Sequence, residues 1–585
     1  MNIQEKDILN AIYRTSKINQ RTIAELSGYS LGMVNKTIKA LVNNGYLSSN
    51  LDITKKTIDM IKKEMPQNAI ILAAGYGMRM VPINTEVPKG LIEVKGEALI
   101  ERIIRQLHEV GINKIYVIVG FMKERYEYLI DDYGVELIVN SEYKTKNNLH
   151  SLAKAVKYIG NSYIIPCDIW CKKNPFSRNE LYSWYMVTDT YDDDSTVHVN
   201  RKLELVTVPG LSDGNKMIGI SYLDNEDSRL VRGRIEELCK NAIYDDRFWE
   251  EALYNDGKMA VAAKIVNSSD VIEINTYEQL RELDSESDHL KSDAIDIICN
   301  ALEANANDIT EINVLKKGMT NRSFLFSCNG KKYIMRIPGE GTEQLINRKQ
   351  EAQVYNVISD KHLCDDIKYI NSDNGYKITE FLEGARVCDS DDIDDLKKCM
   401  KCLRTFHEMN LKVDHDFDIF GQLEFYESLW HGVKSVYKDY ELTKTNVLSL
   451  RSYIEKHISR KCLTHIDAVP DNFLFTIDNN GNEDIRLIDW EYAGMQDPHV
   501  DIAMFCIYSL YDRSQVDRLI DIYFEYNCPD DIRIKIYCYI AVCGLLWSNW
   551  CEYKRNLGVD FGEYSLRQYR YAKEYYKIVQ NELNI

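Results

Sequence analysis

Long apolar runs are scarce in the 585-residue sequence. Its most apolar stretch, Ile536 to Trp547, is little more than half of the roughly 20 residues that a membrane-spanning helix needs. The first residues, MNIQEKDILN, also lack the basic and apolar regions of an export signal. We therefore expect a cytoplasmic chain without membrane insertion, whose 15 cysteines are free thiols.

Positive charge is also scarce. The chain has 72 basic and 90 acidic residues, a formal net charge of −18, which argues against binding of nucleic acid along its whole length. Residues 1–65 are the exception, because ten basic and six acidic residues give them a net charge of +4. The sequence has no internal repeat, and its length predicts about three or four domains.

The basic N-terminal segment is predicted to form three short helices within residues 4–47, with Gly28 in the turn before the third. The stretch RTIAELSGYSLGMVNKTIKALVNNGYL resembles the winged helix-turn-helix of bacterial regulators. This resemblance implies a domain over residues 1–64 whose third helix contacts DNA through Asn35, Lys36 and Lys39. A three-helix module can equally serve dimerisation or docking, so both interpretations stay open. If the segment binds DNA, we expect a homodimer in which it is held away from the acidic domains.

From about residue 65, strand-like segments alternate with helix-length spacers, which is typical of a parallel α/β sheet. The first strand runs into a glycine-rich turn that ends at Arg79, and Pro88-Lys89 follows about ten residues later. This ordered set resembles the nucleotidyl transferases that make sugar nucleotides and, more closely, the bacterial CTP:phosphocholine cytidylyltransferases. The resemblance covers residues 66–286 and implies a Rossmann-like domain that uses CTP and Mg²⁺.

The chemistry of nucleotidyl transfer assigns roles within this block. Several negative charges meet when a phosphate oxygen attacks an α-phosphate, so Arg79 and Lys89 are the candidate catalytic cations. The resemblance implies that Asp168 and Glu273 hold Mg²⁺, and Asn275 ranks below them because an amide adds no negative charge. The predicted nucleotide-binding turn comprises Leu72, Ala73, Ala74, Gly75 and Gly77. Asn147, Asn148 and Ser151 either line this site or begin a helix.

A charged stretch without periodicity, RELDSESDHLKSD, is predicted to be a linker. Beyond it, the pattern predicts three short antiparallel strands and then a mostly helical region. His465, Asp467 and Asn472 have the spacing H-x-D-x-x-x-x-N, and Asp489 follows. Phosphoryl transfer needs an Asp to accept the proton of the substrate hydroxyl, and an Asn and a second Asp to hold Mg²⁺. The last three residues fit these roles in order, and His465 is expected to brace the backbone.

This motif order resembles the choline kinase and aminoglycoside phosphotransferase group. The resemblance implies a two-lobed, protein-kinase-like domain over residues 292–585 that binds ATP. Arg336 stands where protein kinases place Lys, which favours choline kinases within the group. The implied ATP-binding residues are Asn321, Arg336, Glu351, Glu380 and Leu382.

The substrate prediction rests on aromatic residues. Trp547 and Trp550 match the W-x-x-W of choline kinases, and ring faces bind a quaternary ammonium because it cannot donate hydrogen bonds. Glu491 is the candidate carboxylate and Tyr564 a third wall. Tryptophans at this spacing also commonly serve only to fill a helical core. Choline is the predicted substrate, with ethanolamine or another small amino alcohol as the alternative.

Together these patterns predict a multidomain α/β and α+β protein. It would phosphorylate choline with ATP and transfer CMP from CTP to phosphocholine, giving CDP-choline and pyrophosphate for the decoration of cell-surface glycans. One alternative is a kinase for another small amino alcohol fused to a sugar-1-phosphate nucleotidyltransferase. Another is a DNA-binding regulator that senses nucleotides or choline.

Overall fold

The computed structural model describes residues 1–14, 19–85, 87–208, 213–255, 257–315, 323–338, 345–477, 483–557, 559 and 561–583. The chain divides into two compact units, Met1–Asp296 and Ile297–Ile585. The first predicted domain boundary lies inside the first unit. The predicted three-domain boundaries therefore stay predictions.

The N-terminal helices pack their apolar faces together around Ile8, Ile23, Val34 and Leu41. Gly28 ends the second helix in the left-handed conformation, with φ of 72°. A bridge between Leu47 and Ile53 closes a short wing after the third helix. The predicted winged helix-turn-helix is confirmed. Its helices are α1 (Ile3–Arg14), α2 (Gln20–Ser27), α3 (Leu31–Asn43) and α4 (Lys55–Glu64).

A mixed β-sheet with helices on its faces forms the rest of the first unit. Its strands, together with two small ladders, are β1 (Asn68–Ala73), β2 (Glu93–Val94), β3 (Glu97–Ala98), β4 (Ile115–Val119), β5 (Glu136–Val139), β6 (Ser162–Pro166), β7 (Ile169–Cys171), β8 (Trp184–Asp192), β9 (Val197–Val199), β10 (Glu204–Thr207), β11 (Gly214–Leu223), β12 (Tyr254–Asn255), β13 (Lys258–Val266) and β14 (Val271–Glu273). The helices are α5 (Leu99–Glu109), α6 (Leu129–Tyr133), α7 (Asn148–Lys154), α8 (Asn225–Leu238), α9 (Tyr277–Leu283) and α10 (Asp293–Leu302), which crosses into the second unit.

The sheet order is β5-β4-β1-β6-β11-β8-β13-β10-β9, with β12 paired to β13, while β2 pairs with β3 and β7 with β14. Strand β1 is buried along its whole length and is parallel to both of its neighbours, β4 and β6. Because the strand order reverses at β1, a crevice opens at the carboxyl ends of β1 and β6, where ligands of such sheets bind.

The stretch predicted to be a linker packs against the first unit. The hydroxyl of Ser287 donates to the carbonyl oxygen of Glu93 at 2.9 Å, and Asp284 accepts a hydrogen bond from the Lys95 amide. Ser287 and Leu290 are 7% and 8% exposed. The stretch ends just before the division between the two units, so its role as a linker stays a prediction. Its contacts with the first unit are polar and tertiary, and such contacts leave no hydrophobic periodicity.

The second unit begins with an antiparallel sheet and continues as a mostly helical region, as predicted. The sheet order is β15-β16-β17-β19-β18 (Ile309–Val314, Phe324–Cys328, Lys331–Arg336, Lys377–Glu380 and Ile367–Ile370). The predicted turn between β16 and β17 has both Asn329 and Gly330 at positive φ, 51° and 77°, which is typical of a two-residue hairpin.

Helix α11 (Arg348–Ile358) lies between β17 and β18 along the chain. The helical region contains α12 (Ile393–Glu408), α13 (Ile419–Ser428), α14 (Tyr440–Ser449), α15 (Arg451–His457), α16 (His499–Tyr508), α17 (Arg513–Tyr523), α18 (Asp530–Asn556) and α19 (Glu563–Leu583). Short strands between the helices are β20 (Arg386–Val387), β21 (Cys462–Thr464), β22 (Phe473–Ile477), β23 (Glu483–Leu487) and β24 (Gly494–Gln496). The predicted combination of a winged helix, an α/β domain and a kinase-like domain is confirmed.

Helix α18 is long and apolar enough to span a membrane by length and composition, with a mean hydropathy of 1.2 over its most apolar window. Of that window, 89% is buried inside the structure. A helix that is apolar on every side is expected in the centre of a helical core. Burial against its neighbours therefore accounts for the composition of α18.

Candidate functional sites

The glycine-rich turn after β1 lies at the crevice of the first unit. Gly77 has φ of 60°, and a Cβ atom at this position would lie 3.2 Å from the Cβ atom of Lys89. Glycine is thus required both by the left-handed backbone and by the approach of the lysine. Asn84, which the sequence did not reveal, is 3% exposed and donates to the carbonyl oxygens of Tyr76 and Gly77 at 3.3 and 3.2 Å.

The predicted catalytic and metal-binding residues converge beside this turn. The Lys89 ammonium forms an ion pair with Asp168 and donates to Oδ1 of Asn275 at 2.7 Å. The exposed Arg79 guanidinium lies 3.4 Å from the same Asn275 oxygen. The pairing of β14 with β7 positions Glu273, because its partner in the ladder is Ile169. Ile169 directly follows Asp168 in the sequence, so the two carboxylates come close together.

The charges of this site are partly uncompensated. Burial raises the pKa of Glu273, and the negative charge of Asp168 raises it further. Oδ1 of Asp168 is a buried oxygen without a hydrogen-bond partner in the structure. These carboxylate oxygens fit Mg²⁺, which binds one or two carboxylates together with substrate phosphates. Among the described residues, no cluster of three or more His, Cys, Asp or Glu side chains could hold a metal alone.

A second buried acid lies close to this site. Burial raises the pKa of Glu250 to about 7, while a hydrogen bond from the Tyr185 hydroxyl to Oε1, 2.8 Å long, acts in the opposite direction. The other carboxyl oxygen of Glu250 has no partner in the structure. No sequence motif pointed to this residue.

The segment of Asn147 and Asn148 forms the N-terminus of α7, the second of the two predicted alternatives. The side chain of Asn147 accepts from the Asn148 amide and donates to the carbonyl oxygen of Asp246 at 3.0 Å. The Asn148 side chain accepts from the Trp249 amide at 2.7 Å. Ser151 is buried and accepts from Asn140 at 3.0 Å. These side chains therefore hold the segment that leads to Glu250.

In the second unit, a buried aspartate organises the H-x-D loop. Asp501 is fully buried and accepts from the backbone amides of His465 at 3.0 Å and Ile466 at 2.7 Å. Ile466 has φ of 71°, a strained conformation for a β-branched residue. The ring of His465 contacts the carbonyl oxygen of Ile488 at 3.0 Å, so this histidine braces two loops rather than facing a substrate.

The three predicted phosphoryl-transfer residues meet at this loop. The side-chain amide of Asn472 donates to the carboxylate of Asp467 at 3.2 Å and to its carbonyl oxygen at 2.9 Å. Burial raises the pKa of Asp467 to about 7, and the charge of Asp489 contributes to this increase. Asp489 has φ of 68° and comes just after β23, which pairs with β22. Because β22 begins directly after Asn472, this pairing brings Asp489 and Asn472 together. The amide and carboxylate oxygens of Asn472 and Asp489 fit Mg²⁺.

Arg336 lies in a buried network of ion pairs. Its guanidinium is 2.6 Å from Glu351 and 3.6 Å from Glu491. Arg348, which no sequence motif indicated, contacts the same two carboxylates at 2.8 and 3.5 Å. Glu491, the carboxylate predicted to accompany choline, thus lies beside two arginines. Burial raises the pKa of Glu491 to about 8, and the negative charge of Asp489 is the second contribution to this increase.

The two tryptophans of α18 form part of an aromatic cluster. The Trp547 and Trp550 rings are 5.5 Å apart, and Tyr492 lies 5.9 Å from Trp547 at an interplanar angle of 90°. Phe561 also packs against Trp550, with their ring centres 5.0 Å apart. The predicted third wall, Tyr564, contacts Tyr508 at 6.2 Å.

The remaining predicted nucleotide-binding residues give less information. Asn321 lies outside the described residues. Glu380 ends β19 and pairs with Lys331 at 2.9 Å and Lys368 at 3.2 Å, so its side chain belongs to the sheet surface. Leu382 is half-buried just after that strand.

The winged helix is docked on the nucleotidyltransferase part of the first unit through α1. Asp7 accepts hydrogen bonds of 2.8 Å from Tyr29, in the turn before α3, and from Tyr182, just before β8. Asn10 donates to the carbonyl oxygen of Asn179 at 3.2 Å. The expectation that this segment is held away from the acidic domains was wrong, because a few polar contacts outweigh net charge at short range. The predicted DNA-contact residues Asn35, Lys36 and Lys39 are all exposed on α3.

Comparison with known proteins agrees with this division. Residues 1–48 match the winged helix-turn-helix DNA-binding model, residues 69–179 the MobA-like NTP transferase domain, and residues 312–526 the choline/ethanolamine kinase model. A choline-phosphate cytidylyltransferase of Streptococcus pneumoniae is 31% identical, over 37% of this chain and 96% of that protein. The chain belongs to the choline-phosphate cytidylyltransferase family. It is a fusion of a nucleotidyltransferase and a kinase with an N-terminal winged helix.

Two further relatives concern the two enzymatic parts separately. A 2-aminoethylphosphonate cytidylyltransferase of Lancefieldella rimae is 29% identical, over 37% of this chain and 92% of that protein. The crystal structure of the choline kinase LicA from Streptococcus pneumoniae is 29% identical, covers 49% of this chain and 100% of that chain, and has a TM-score of 0.42.

Proposed function

We propose that this chain makes CDP-choline from choline in two steps. The kinase part phosphorylates choline with ATP, and the nucleotidyltransferase part transfers CMP from CTP to the phosphocholine, releasing pyrophosphate. The observation that carries the proposal is the presence of a choline/ethanolamine kinase match in the same chain as a 31% identical relationship to a choline-phosphate cytidylyltransferase. The product of one part is then the substrate of the other.

In the kinase part, Asp467 orients the choline hydroxyl and accepts its proton as the hydroxyl oxygen attacks the γ-phosphate. Asn472 and Asp489 would hold Mg²⁺, which neutralises phosphate charge when bound. Arg336, positioned by Glu351, contributes positive charge near the phosphates. Trp547 and Trp550 supply the ring faces that attract a quaternary ammonium.

In the nucleotidyltransferase part, the turn of residues 72–77 and Arg79 hold the triphosphate of CTP. Lys89 neutralises charge at the α-phosphate while the phosphate oxygen of phosphocholine attacks and pyrophosphate leaves. Asp168 and Glu273 would hold Mg²⁺, whose positive charge adds to that of Lys89. The ion pair of Lys89 with Asp168 orients the lysine in the absence of substrate.

One specific alternative exists for the substrate that accepts CMP. Because a relative of similar identity is a 2-aminoethylphosphonate cytidylyltransferase, the nucleotidyltransferase part could serve an aminoalkyl phosphonate instead of phosphocholine. The proposed destination of CDP-choline is phosphocholine decoration of cell-surface glycans, and the N-terminal segment, through α3, is proposed to bind DNA.

The test is to incubate the purified full chain with Mg²⁺, ATP and CTP together with choline, ethanolamine or 2-aminoethylphosphonate, and to identify the products by mass. Phosphocholine and CDP-choline from choline are expected. A cytidylyl product from 2-aminoethylphosphonate alone, or phosphorylation of ethanolamine alone, would overturn the choline assignment for the corresponding part. Parallel reactions with UTP or GTP in place of CTP test the nucleotide.

A further inference from the structure

The aromatic cluster of the kinase part contains a cation of its own. Lys554 follows Trp550 by one helical turn and is 8% exposed. Its Nζ atom lies 5.5 Å from the centre of the Trp550 ring and 5.8 Å from that of Tyr553. Lys554 forms no ion pair with a carboxylate of the described residues. The ring faces are therefore its direct electrostatic partners.

A buried ammonium without an ion pair loses hydration at a cost, which the Trp550 and Tyr553 ring faces offset in part. Burial lowers the pKa of Lys554, and the negative charge of Glu491 acts in the opposite direction. The negative face of an aromatic ring attracts a cation electrostatically. The position of Lys554 thus indicates that a cation binds favourably beside Trp550, which is also one of the two rings proposed to bind choline.

We propose that the Lys554 ammonium occupies the cation-binding position beside Trp550 when substrate is absent, and that the quaternary ammonium of the substrate displaces it. This inference rests on the proposed choline kinase function. The flexible four-carbon stem of lysine allows the ammonium to move while helix α18 keeps its place. A tethered competitor of this kind weakens apparent affinity for a cationic substrate in proportion to its occupancy.

The first test compares Lys554→Met, which keeps the length of the side chain and removes its charge, with wild-type protein. The KM for choline is expected to fall about fivefold, as loss of a competing cation–π contact implies, while kcat and the KM for ATP change less than about twofold. Arg555→Met is the control on the same helix, since Arg555 pairs with Glu552 at 3.5 Å. An unchanged or higher KM for choline, or a change confined to ATP, would overturn the inference.

The second test needs no variant. Acetylation of wild-type lysines by N-hydroxysuccinimidyl acetate, followed by mass spectrometry of the peptides, measures access to each ammonium. Saturating choline, or tetramethylammonium as a probe without a hydroxyl, should raise acetylation of Lys554 several-fold relative to Lys573. Protection of Lys554, or no change, would contradict displacement. If wild-type protein does not phosphorylate choline at all, the proposed function fails instead.

Discussion

The two catalytic parts of this chain place their cations differently. In the nucleotidyltransferase part, Arg79 is exposed and the Lys89 side chain is 12% exposed, at the mouth of a crevice. In the kinase part, Arg336 lies within the core, 7% exposed, with Glu351 at 1%. The cations of the nucleotidyltransferase site are therefore more open to solvent than Arg336, which the buried carboxylate of Glu351 holds in position.

The same contrast applies to the acids. Asp168 already has a lysine partner, whereas the carboxylate of Asp467 accepts a hydrogen bond from the neutral side-chain amide of Asn472. A carboxylate that must accept a proton needs a raised pKa, and one that binds a metal needs to stay ionised. The two acids are therefore suited to different chemistry, which makes the two sites separable by mutation.

The largest expected effect is loss of the kinase reaction in Asp467→Ala. Phosphorylation of choline should fall by a factor of roughly 10² to 10⁴, because the group that accepts the hydroxyl proton is gone. CDP-choline synthesis from supplied phosphocholine should continue at the wild-type rate. Both rates are measured by product mass, and loss of both in a folded variant would contradict the separation of the sites.

The converse variant, Lys89→Ala, should stop cytidylyl transfer by a comparable factor of roughly 10² to 10³, the scale seen when one charge-stabilising donor is removed. Phosphocholine should then accumulate from choline, ATP and CTP. Lys95→Ala, an exposed lysine a few residues away, is the matched control. An unchanged CDP-choline yield would remove Lys89 from the mechanism.

A smaller effect is expected from the aromatic cluster. Replacement of Trp547 or Trp550 by Ala should raise the KM for choline about tenfold, because about 1 to 2 kcal/mol of cation–π attraction is lost, with little change for ATP. Initial rates at varied choline and varied ATP separate the two constants. If both constants move together, these tryptophans belong to the core alone.

The next prediction concerns DNA binding by the basic N-terminal segment, in contrast to the acidic remainder of the chain. If α3 contacts DNA, retention of duplex DNA by the full chain should fall with salt, and Lys36→Ala or Lys39→Ala should each reduce the slope of log affinity against log salt by about one unit. A DNA-bound dimer should read half-sites about one helical turn apart. Retention that does not depend on salt, with self-association of the chain, would favour the dimerisation alternative.

The smallest expected effect is on stability, through Glu250. Its pKa is raised from 4.5 to about 7 by burial, so between these values the folded state holds a proton that the unfolded state has lost. Stability from this group therefore decreases as pH rises from 4.5 to 7 and is constant above it. Glu250→Gln, which cannot ionise, should gain melting temperature over wild type by a few degrees at pH 8 compared with pH 5. The same difference at both pH values would show that the carboxyl is not held protonated.

Fold class and motif order could be predicted from the sequence because both depend on local patterns. The apolar strand before the glycine-rich turn, the W-x-x-W spacing and the H-x-D-x-x-x-x-N loop each lie within a short segment, so composition and spacing are enough. The confirmed winged helix, α/β domain and kinase-like domain follow from such segments. The individual site residues, by contrast, stay predictions.

What only tertiary structure decided is which distant side chains meet. The approach of Lys89 to Asn275, the second arginine beside Glu491, and the contact of Asp7 with Tyr182 join residues far apart in sequence, and no periodicity encodes them. Lys554 was visible as a lysine one turn after Trp550, but its burial against that ring required the packing of α18 inside its unit. Local segments determine elements and motifs, whereas burial and long-range pairing set the charges and partners of each site, because both depend on what the rest of the chain brings close.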